Sequence, residues 1–266
     1  MTPRRGGLFW LSFGPPALWL ALFFLLPMGA LWLMSLGATL RAFEGLYLAV
    51  LLKSAGVAGL VTLICLVAGF PVALLIAFAS PRAKPWLLLA VMLPFWTNLL
   101  IRTFALAAIL RDQGLINQLL GWAGLQPLAL MNTDTAVIIG LVYVHLPFMV
   151  LPLYAALDRL DRSLIEASLD LGAGQLRAMV TVVLPLALPG IASGILITFI
   201  PALGSYLTPD LLGGPDSQMI ANVIERQFKR ADDWAFGAAL SFVLMYLTLL
   251  GFAVQALIAR RREAMA

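Results

Sequence analysis

Side-chain chemistry needs particular residues at particular spacings, and this sequence offers few. It has one histidine, His145, and one cysteine, Cys65, so neither a His-rich metal site nor a cysteine cluster can be assembled. The acids Asp158, Asp161 and Asp170 share one polar stretch, but Arg159 and Arg162 stand between them. Catalysis would need clustered acids, a nucleophile with its base, or metal ligands at a helix mouth, and none is spelled out. There is no G-x-x-x-x-G-K-[ST] loop either, so the chain cannot hydrolyse ATP by itself. The expectations are no enzyme activity, no metal and no cofactor held by this chain. The remaining candidates are two ionisable groups inside apolar runs (Arg102 and His145), the aromatic and polar residues Trp96, Asn98, Tyr206 and Asp210, and the polar loop itself.

The elements that must position these residues follow from composition. Of 266 residues, 62% are hydrophobic and only 11% charged, against roughly a quarter charged in soluble domains. That excludes a soluble globular enzyme, a nucleic-acid-binding module and a disordered chain. The net charge of +4 reads as Lys and Arg anchoring loops at a membrane, with no nucleic-acid partner. Charge-free runs cover 6–40, 54–81, 135–157, 178–209 and 234–259, and a run at 85–110 is interrupted by Arg102 alone. Each exceeds the roughly 20 residues that cross a bilayer. Lipid leaves no partner for an open sheet edge, so the spans must be helices. The expected fold is an all-α polytopic membrane protein with six transmembrane helices, at 11–36, 54–79, 86–110, 136–157, 187–207 and 236–258. Residues 113–133 are rich in Gln, Asn and Gly and read as a loop with an interfacial helix near 113–122; a span there would invert the second half of the topology. Ten Lys and Arg fall on one side, at 4, 5, 82, 84, 159, 162, 177 and 260–262, and six on the other, at 41, 53, 111, 226, 229 and 230. Both termini are then expected to be cytoplasmic. The first apolar run is too long for a signal-peptide core and is read as a retained helix. With no repeat or linker, 1–266 reads as a single transmembrane domain.

The longest expected cytoplasmic connection runs from Asp158 to Pro185, within 158–186. Residues 163–171 read as an amphipathic helix: Leu164, Ile165, Ala167, Leu169 and Leu171 on one face, Glu166 and Asp170 on the other. Gly172 and Gly174 end it, and Leu184-Pro185 is expected to stop the next segment before the fifth span. On physics alone this is either a docking element or a helix lying on lipid headgroups.

A resemblance separates the two. Glu166-Ala167-Ser168, then Gly172, then Val182-Val183-Leu184-Pro185 nine residues later, resembles the E-A-A, x3, G, x9, I-x-L-P signature of the membrane subunits of binding-protein-dependent ABC importers; Ser168 replaces the second Ala and Val182 the Ile. The runs Pro94-Phe95-Trp96-Thr97-Asn98 with Ile101-Arg102, Gly140 to Tyr143 through Leu146-Pro147-Phe148-Met149, and Asp210-Leu211-Leu212-Gly213-Gly214 with Asp233-Trp234 and Phe236 to Ala239 resemble the spermidine/putrescine branch. The resemblance covers about 70–250. It implies a type I importer permease of a bacterial inner membrane, working by alternating access. Its partners would be two cytoplasmic ATPase subunits that bind ATP and Mg, a second permease subunit and an extracytoplasmic substrate-binding protein. By the same resemblance Glu166 faces the ATPase, Ala167 and Ser168 allow close approach, and Gly172 permits the turn. Ferric iron and phosphonate branches share parts of these motifs and are the alternative substrates.

For a cationic substrate, carboxylates and aromatic faces are needed, and Trp96, Asn98, Tyr206 and Asp210 are the candidates. Pro209 is expected to break the helix there. Arg102, about 24 Å along a third helix starting at Trp86, is expected at the outer interface, snorkelling or paired with Asp112. An arginine on the route would repel a polyamine. His145 is read as a packed or hydrogen-bonded helix residue. A secondary transporter would want intramembrane acids or an inverted repeat, and neither is visible.

Overall fold

The computed structural model describes residues 5–263, and side-chain surroundings from Phe13 to Ala253. All regular structure among the described residues is helical. Helix α1 covers 5–35 as Arg5–Leu20, a π-turn at Ala21–Leu25, and Leu26–Ser35. Its side chains from Leu22 to Leu26 are more than half exposed, which only a lipid solvent makes favourable. Helix α2, Gly45–Phe78, has 34 residues and starts well before the expected Ser54. Lys53 does not end it, because its ammonium pairs with Asp134 at 3.1 Å. At 1.5 Å per residue the helix is about 51 Å long, so it projects beyond a hydrocarbon core of roughly 30 Å.

The third span is not one straight helix. Helix α3, Lys84–Met92, runs into a 3₁₀ turn at Leu93–Trp96; helix α4, Leu99–Leu110, then leaves at 91°. Pro94 tightens the end of α3, and the next residues turn extended. Asn98 restarts the chain as a helix by accepting the Leu100 N–H on its side-chain oxygen at 2.8 Å, a cap worth about 1 kcal/mol. Five described helices are long and apolar enough to cross a membrane, and the number is six when the bent pair is taken as one span. Helix α5, Leu115–Trp122, falls within the expected interfacial segment and is too short to cross.

Helix α6, Asp134–Leu157, matches the fourth span; Thr133 caps it. Helix α7, Arg162–Asp170, is the short helix of the loop. The fifth span differs from expectation. Helix α8, Gln175–Leu203, is continuous from the loop into the membrane, and Pro185 lies inside it rather than stopping it. A π-turn at Met179–Val183 immediately precedes Leu184 and Pro185 and widens the backbone where the proline ring would press on the preceding turn. The break expected at Pro209 instead falls at 204–206, after Gly204 caps α8 through Ile200 O. Pro209 sits in the first turn of helix α9, Leu207–Leu212, where a missing N–H is tolerated. Helices α10, Ile220–Lys229, and α11, Trp234–Glu263, complete the chain.

The chain packs as two compact units, one of the residues up to Leu48 with Val223–Leu247, the other of Ala49–Asn222 with those from Thr248 onward. In the first, the Trp32 indole donates to the Tyr246 hydroxyl at 2.8 Å. Arg41 pairs with Asp233 at 3.1 Å and lies 4.5 Å from the Phe236 ring centroid. In the larger unit α8 packs along α6. Gly190 and Gly194 allow it: a Cβ on Gly190 would stand 2.4 Å from Ala156 Cβ, and one on Gly194 2.7 Å from Met149 Sδ. Close backbone approach at small residues four positions apart is a membrane packing device. Helix α9 rests on α4 and α6, with Leu212, Ala107, Leu110 and Ala136 buried together.

Candidate functional site

The polar loop at 158–186 is built by local rules and then tied to the bundle. Asp161 caps α7 by accepting the Ser163 N–H at 3.0 Å. That backbone hydrogen bond holds its carboxyl below the ordinary range. At the other end the Gly172 N–H donates to Leu169 O at 2.9 Å and the Ala173 N–H to Ser168 O at 3.0 Å, the paired bonds of a Schellman ending. Gly172 has φ of 84° with open space around it, so glycine is required by conformation and not by crowding. Ser168 is occupied with its own helix, donating to Ile165 O at 2.9 Å.

Among the described residues none covers the face this helix presents. Glu166 and Ala167 are exposed, and so are Leu164, Leu169, Leu171 and Leu176, the last two at 89% and 82%. Exposed leucines outside the spans, rimmed by charges, mark an interaction surface. Leu184 and Pro185 are exposed in α8, and Val183 beside them is buried.

Three residues that sequence reasoning did not single out fix the loop in place. Arg162 at the start of α7 donates to Ala77 O at 3.2 Å and lies 5.2 Å from the Phe78 ring centroid. It thereby caps the orphan carbonyls at the C-terminus of α2 with a cation, the sign that end of the helix dipole favours. Lys84 at the start of α3 pairs with Asp158 just after α6. The Lys84 hydrogen bond holds the Asp158 carboxyl below its usual range. Three elements of the bundle therefore converge on the loop. Beside it a cleft of about 500 Å³ opens between α6 and α8, lined by Pro152, Ala156, Arg159, Pro189, Gly190 and Ser193.

The four residues considered for a cation route lie at two turns of the chain, Trp96 and Asn98 at the bend after α3, Tyr206 and Asp210 at the start of α9. Trp96 is 75% exposed at the end of the 3₁₀ turn, and Asn98 spends its side-chain oxygen on the helix cap. Tyr206 is half-exposed and Asp210 exposed at the start of α9. The Asn222 amide donates to Tyr206 O at 2.8 Å and fixes that turn. Among the described residues no hydrogen bond, ion pair or ring contact joins Trp96 or Asn98 to Tyr206 or Asp210. His145 is buried, with its Nδ1–H donating to Leu141 O at 2.8 Å, as expected of a packed helix residue. No group of three His, Cys, Asp or Glu side chains among the described residues could hold a metal ion.

Comparison with known proteins accounts for the loop and the bundle together. Residues 6–264 match the family of binding-protein-dependent transport system inner membrane components. The spermidine/putrescine transport system permease protein PotB of Escherichia coli (strain K12) is 45% identical over 206 residues, 77% of this chain and 75% of that one. PotB of Haemophilus influenzae is 43% identical over 210 residues, 78% and 73% of the two chains. In fold, the chain is similar to one from the crystal structure of a bacterial ABC transporter that imports the acidic polysaccharide alginate, with TM-score 0.78 at 18% identity, covering 97% of this chain and 96% of that one. A chain of the inward-facing MetNI methionine ABC transporter aligns with TM-score 0.57 at 19% identity, covering 82% and 99%. With its all-helical spans and exposed, glycine-capped loop helix, this chain is a member of the binding-protein-dependent transport system inner membrane component family, a multi-pass permease.

Proposed function

We propose that this permease is one membrane half of an ATP-driven polyamine importer. Two cytoplasmic ATPase subunits drive it, one of them docking on α7, a second permease subunit completes the pathway, and an extracytoplasmic binding protein delivers spermidine or putrescine. Residues 1–266 act as one permease domain, with 158–186 its coupling loop and both ends of the chain cytoplasmic. ATP and Mg are bound by the partner ATPase, and no cofactor belongs to this chain. The observation that carries the reading is α7: a charged, leucine-faced helix left uncovered, yet anchored through Arg162 and Asp158 to the ends of α2, α3 and α6. Force applied at Glu166 reaches the end of α2 through Arg162 of the same helix, which is what alternating access requires of a coupling element. Ala167 and Ser168 let the ATPase approach closely, Gly172 turns the chain back, and Leu184 and Pro185 pass the motion along α8. Identity of 45% to a polyamine permease supports the substrate class. Trp96 and Tyr206 offer aromatic faces, and Asp210 a carboxylate, to ammonium groups; Asn98 sets the bend that presents Trp96.

The test is ATP hydrolysis by the co-purified assembly in lipid, with its binding protein and with or without spermidine. Stimulation by spermidine that is lost in Glu166→Ala, with the assembly still inserted, supports coupling and substrate together. An assembly whose hydrolysis responds to Fe³⁺ or a phosphonate and ignores polyamines keeps the importer and moves the substrate. Full stimulation in Glu166→Ala overturns the role of the loop.

A further inference from the structure

Two arginines of the larger unit have no carboxylate partner among the described residues, and they differ in what can reach them. Arg102 lies with its guanidinium 5.9 Å from the Phe95 ring centroid and forms no ion pair with Asp112. Its Nε and Nη1 are shut off from solvent by the chain itself. Arg159, by contrast, is exposed. Among the described residues its guanidinium makes no hydrogen bond, ion pair or ring contact. The acids near it in the chain are already engaged: Asp158 pairs with Lys84, and Asp161 caps α7 on the Ser163 N–H. The positive charge of Arg159 is therefore left uncompensated.

What lies beside that charge is apolar. Arg159 follows the end of α6 at Leu157 and lines the cleft of about 500 Å³ between α6 and α8. Pro152 and Ala155 of α6 and Leu186 and Pro189 of α8 wall it, and the last three are exposed. From Arg159 back to Pro152 is roughly 10 Å along the α6 axis. The two helices touch at Gly190, where a Cβ would stand 2.4 Å from Ala156 Cβ, so the cleft is a groove along the pair and not a channel between them. Ser193 is the one other polar side chain among the described lining residues, and its hydroxyl donates to Pro189 O at 2.9 Å.

An apolar groove along two spans with an unpaired guanidinium at one end suits a ligand that is anionic at one end and hydrocarbon at the other. Basic pockets between transmembrane helices take anionic lipid headgroups, and the guanidinium fork matches phosphate oxygens two at a time. No carboxylate lines the cleft to receive the ammonium of a zwitterionic headgroup, and Arg159 would repel a polyamine. We propose that the groove between α6 and α8 is a binding site for an anionic phospholipid, its phosphate on Arg159 and an acyl chain along Ala155 and Pro152. The site needs only that α6 and α8 span a bilayer, so it stands apart from the transported substrate and from the role of α7.

The test uses the co-purified assembly in phosphatidylcholine vesicles that carry a trace of phosphatidylglycerol with a photoactivatable diazirine on one acyl chain. The same label on phosphatidylcholine controls for the headgroup, and adducts are mapped by peptide mass spectrometry. Adducts of the phosphatidylglycerol probe are expected on 152–160 and 186–193, about fivefold above those of the phosphatidylcholine probe. Arg159→Gln should remove that excess and Arg159→Lys keep most of it. Ser193→Phe, which fills the groove without touching the charge, should lower labelling by both probes. Equal labelling by the two headgroups, or an excess that survives Arg159→Gln, overturns the headgroup site. Undiminished labelling in Ser193→Phe overturns the placement of the acyl chain. Adducts missing from both segments, as when a protein partner covers the groove, overturn the proposal as a whole.

Discussion

Gly172 is the residue at which the loop is most sensitive to a single methyl group. Any Cβ there must sit in the left-handed region at φ of 84°, which costs an L-residue roughly 1–2 kcal/mol. Gly172→Ala should therefore unwind the end of α7 and reduce spermidine-stimulated ATP hydrolysis several-fold. Gly172→Asn should keep more of it, since Asn tolerates that conformation better; equal loss in both variants would point to a steric role instead. Asp158 gives a second prediction, this time in pH. Its carboxyl is held below the usual range by Lys84, so the link's contribution is complete at neutral pH. That contribution disappears as pH falls through the lowered value. Asp158→Asn should lower stability by less than about 1 kcal/mol at neutral pH, because the pair is partly solvated. It should also flatten the acid limb of thermal stability, measured as melting temperature against pH in detergent.

Among the elements, the pairing of α6 with α8 and the bend between α3 and α4 carry the most. Gly190 faces Ala156 and the Pro152 carbonyl so closely that a Cβ would stand 2.8 Å from that oxygen. Gly190→Val should force the two helices apart and cost about 1–3 kcal/mol, read as a lower melting temperature with normal insertion. The same gap lies beside the cleft between these helices, so the variant should also depress transport beyond its effect on folding. At the bend, Asn98→Ala removes the acceptor for the Leu100 N–H and should cost about 1 kcal/mol. Asn98→Asp, which keeps the acceptor, should restore stability. If Asp restores stability but not uptake, the amide itself touches substrate.

For the whole molecule the decisive quantity is the number of crossings, because the 91° bend sits in the one span interrupted by a charge. A bent pair that crosses places the connection at 79–83 and α5 on opposite sides of the membrane, and a re-entrant pair leaves them on the same side. Cysteine substitutions at Arg82 and Trp122, both exposed, read this directly, since the native Cys65 is fully buried. An impermeant maleimide should label Trp122→Cys from outside intact cells and Arg82→Cys only after permeabilisation. Labelling of both from one side would make the pair re-entrant, leave five crossings and put the two ends of the chain on opposite sides.

Much of this was legible in the sequence because it depends on neighbours along the chain. The apolar runs set the spans, since a bilayer leaves the backbone no alternative to helix. The apolar face of Leu164, Ile165, Leu169 and Leu171, closed by Gly172, marked the loop helix and its turn within about ten residues. What depended on residues far apart was decided only by the tertiary structure. Arg162 on the Ala77 carbonyl spans 85 positions, and no local pattern announces a side chain that caps another helix. The bend after Pro94 and the continuity of α8 through Pro185 likewise follow from packing. Proline weakens a helix by an amount that neighbouring helices and a π-turn can offset, so the sequence marks where a break is possible and the fold chooses which breaks occur.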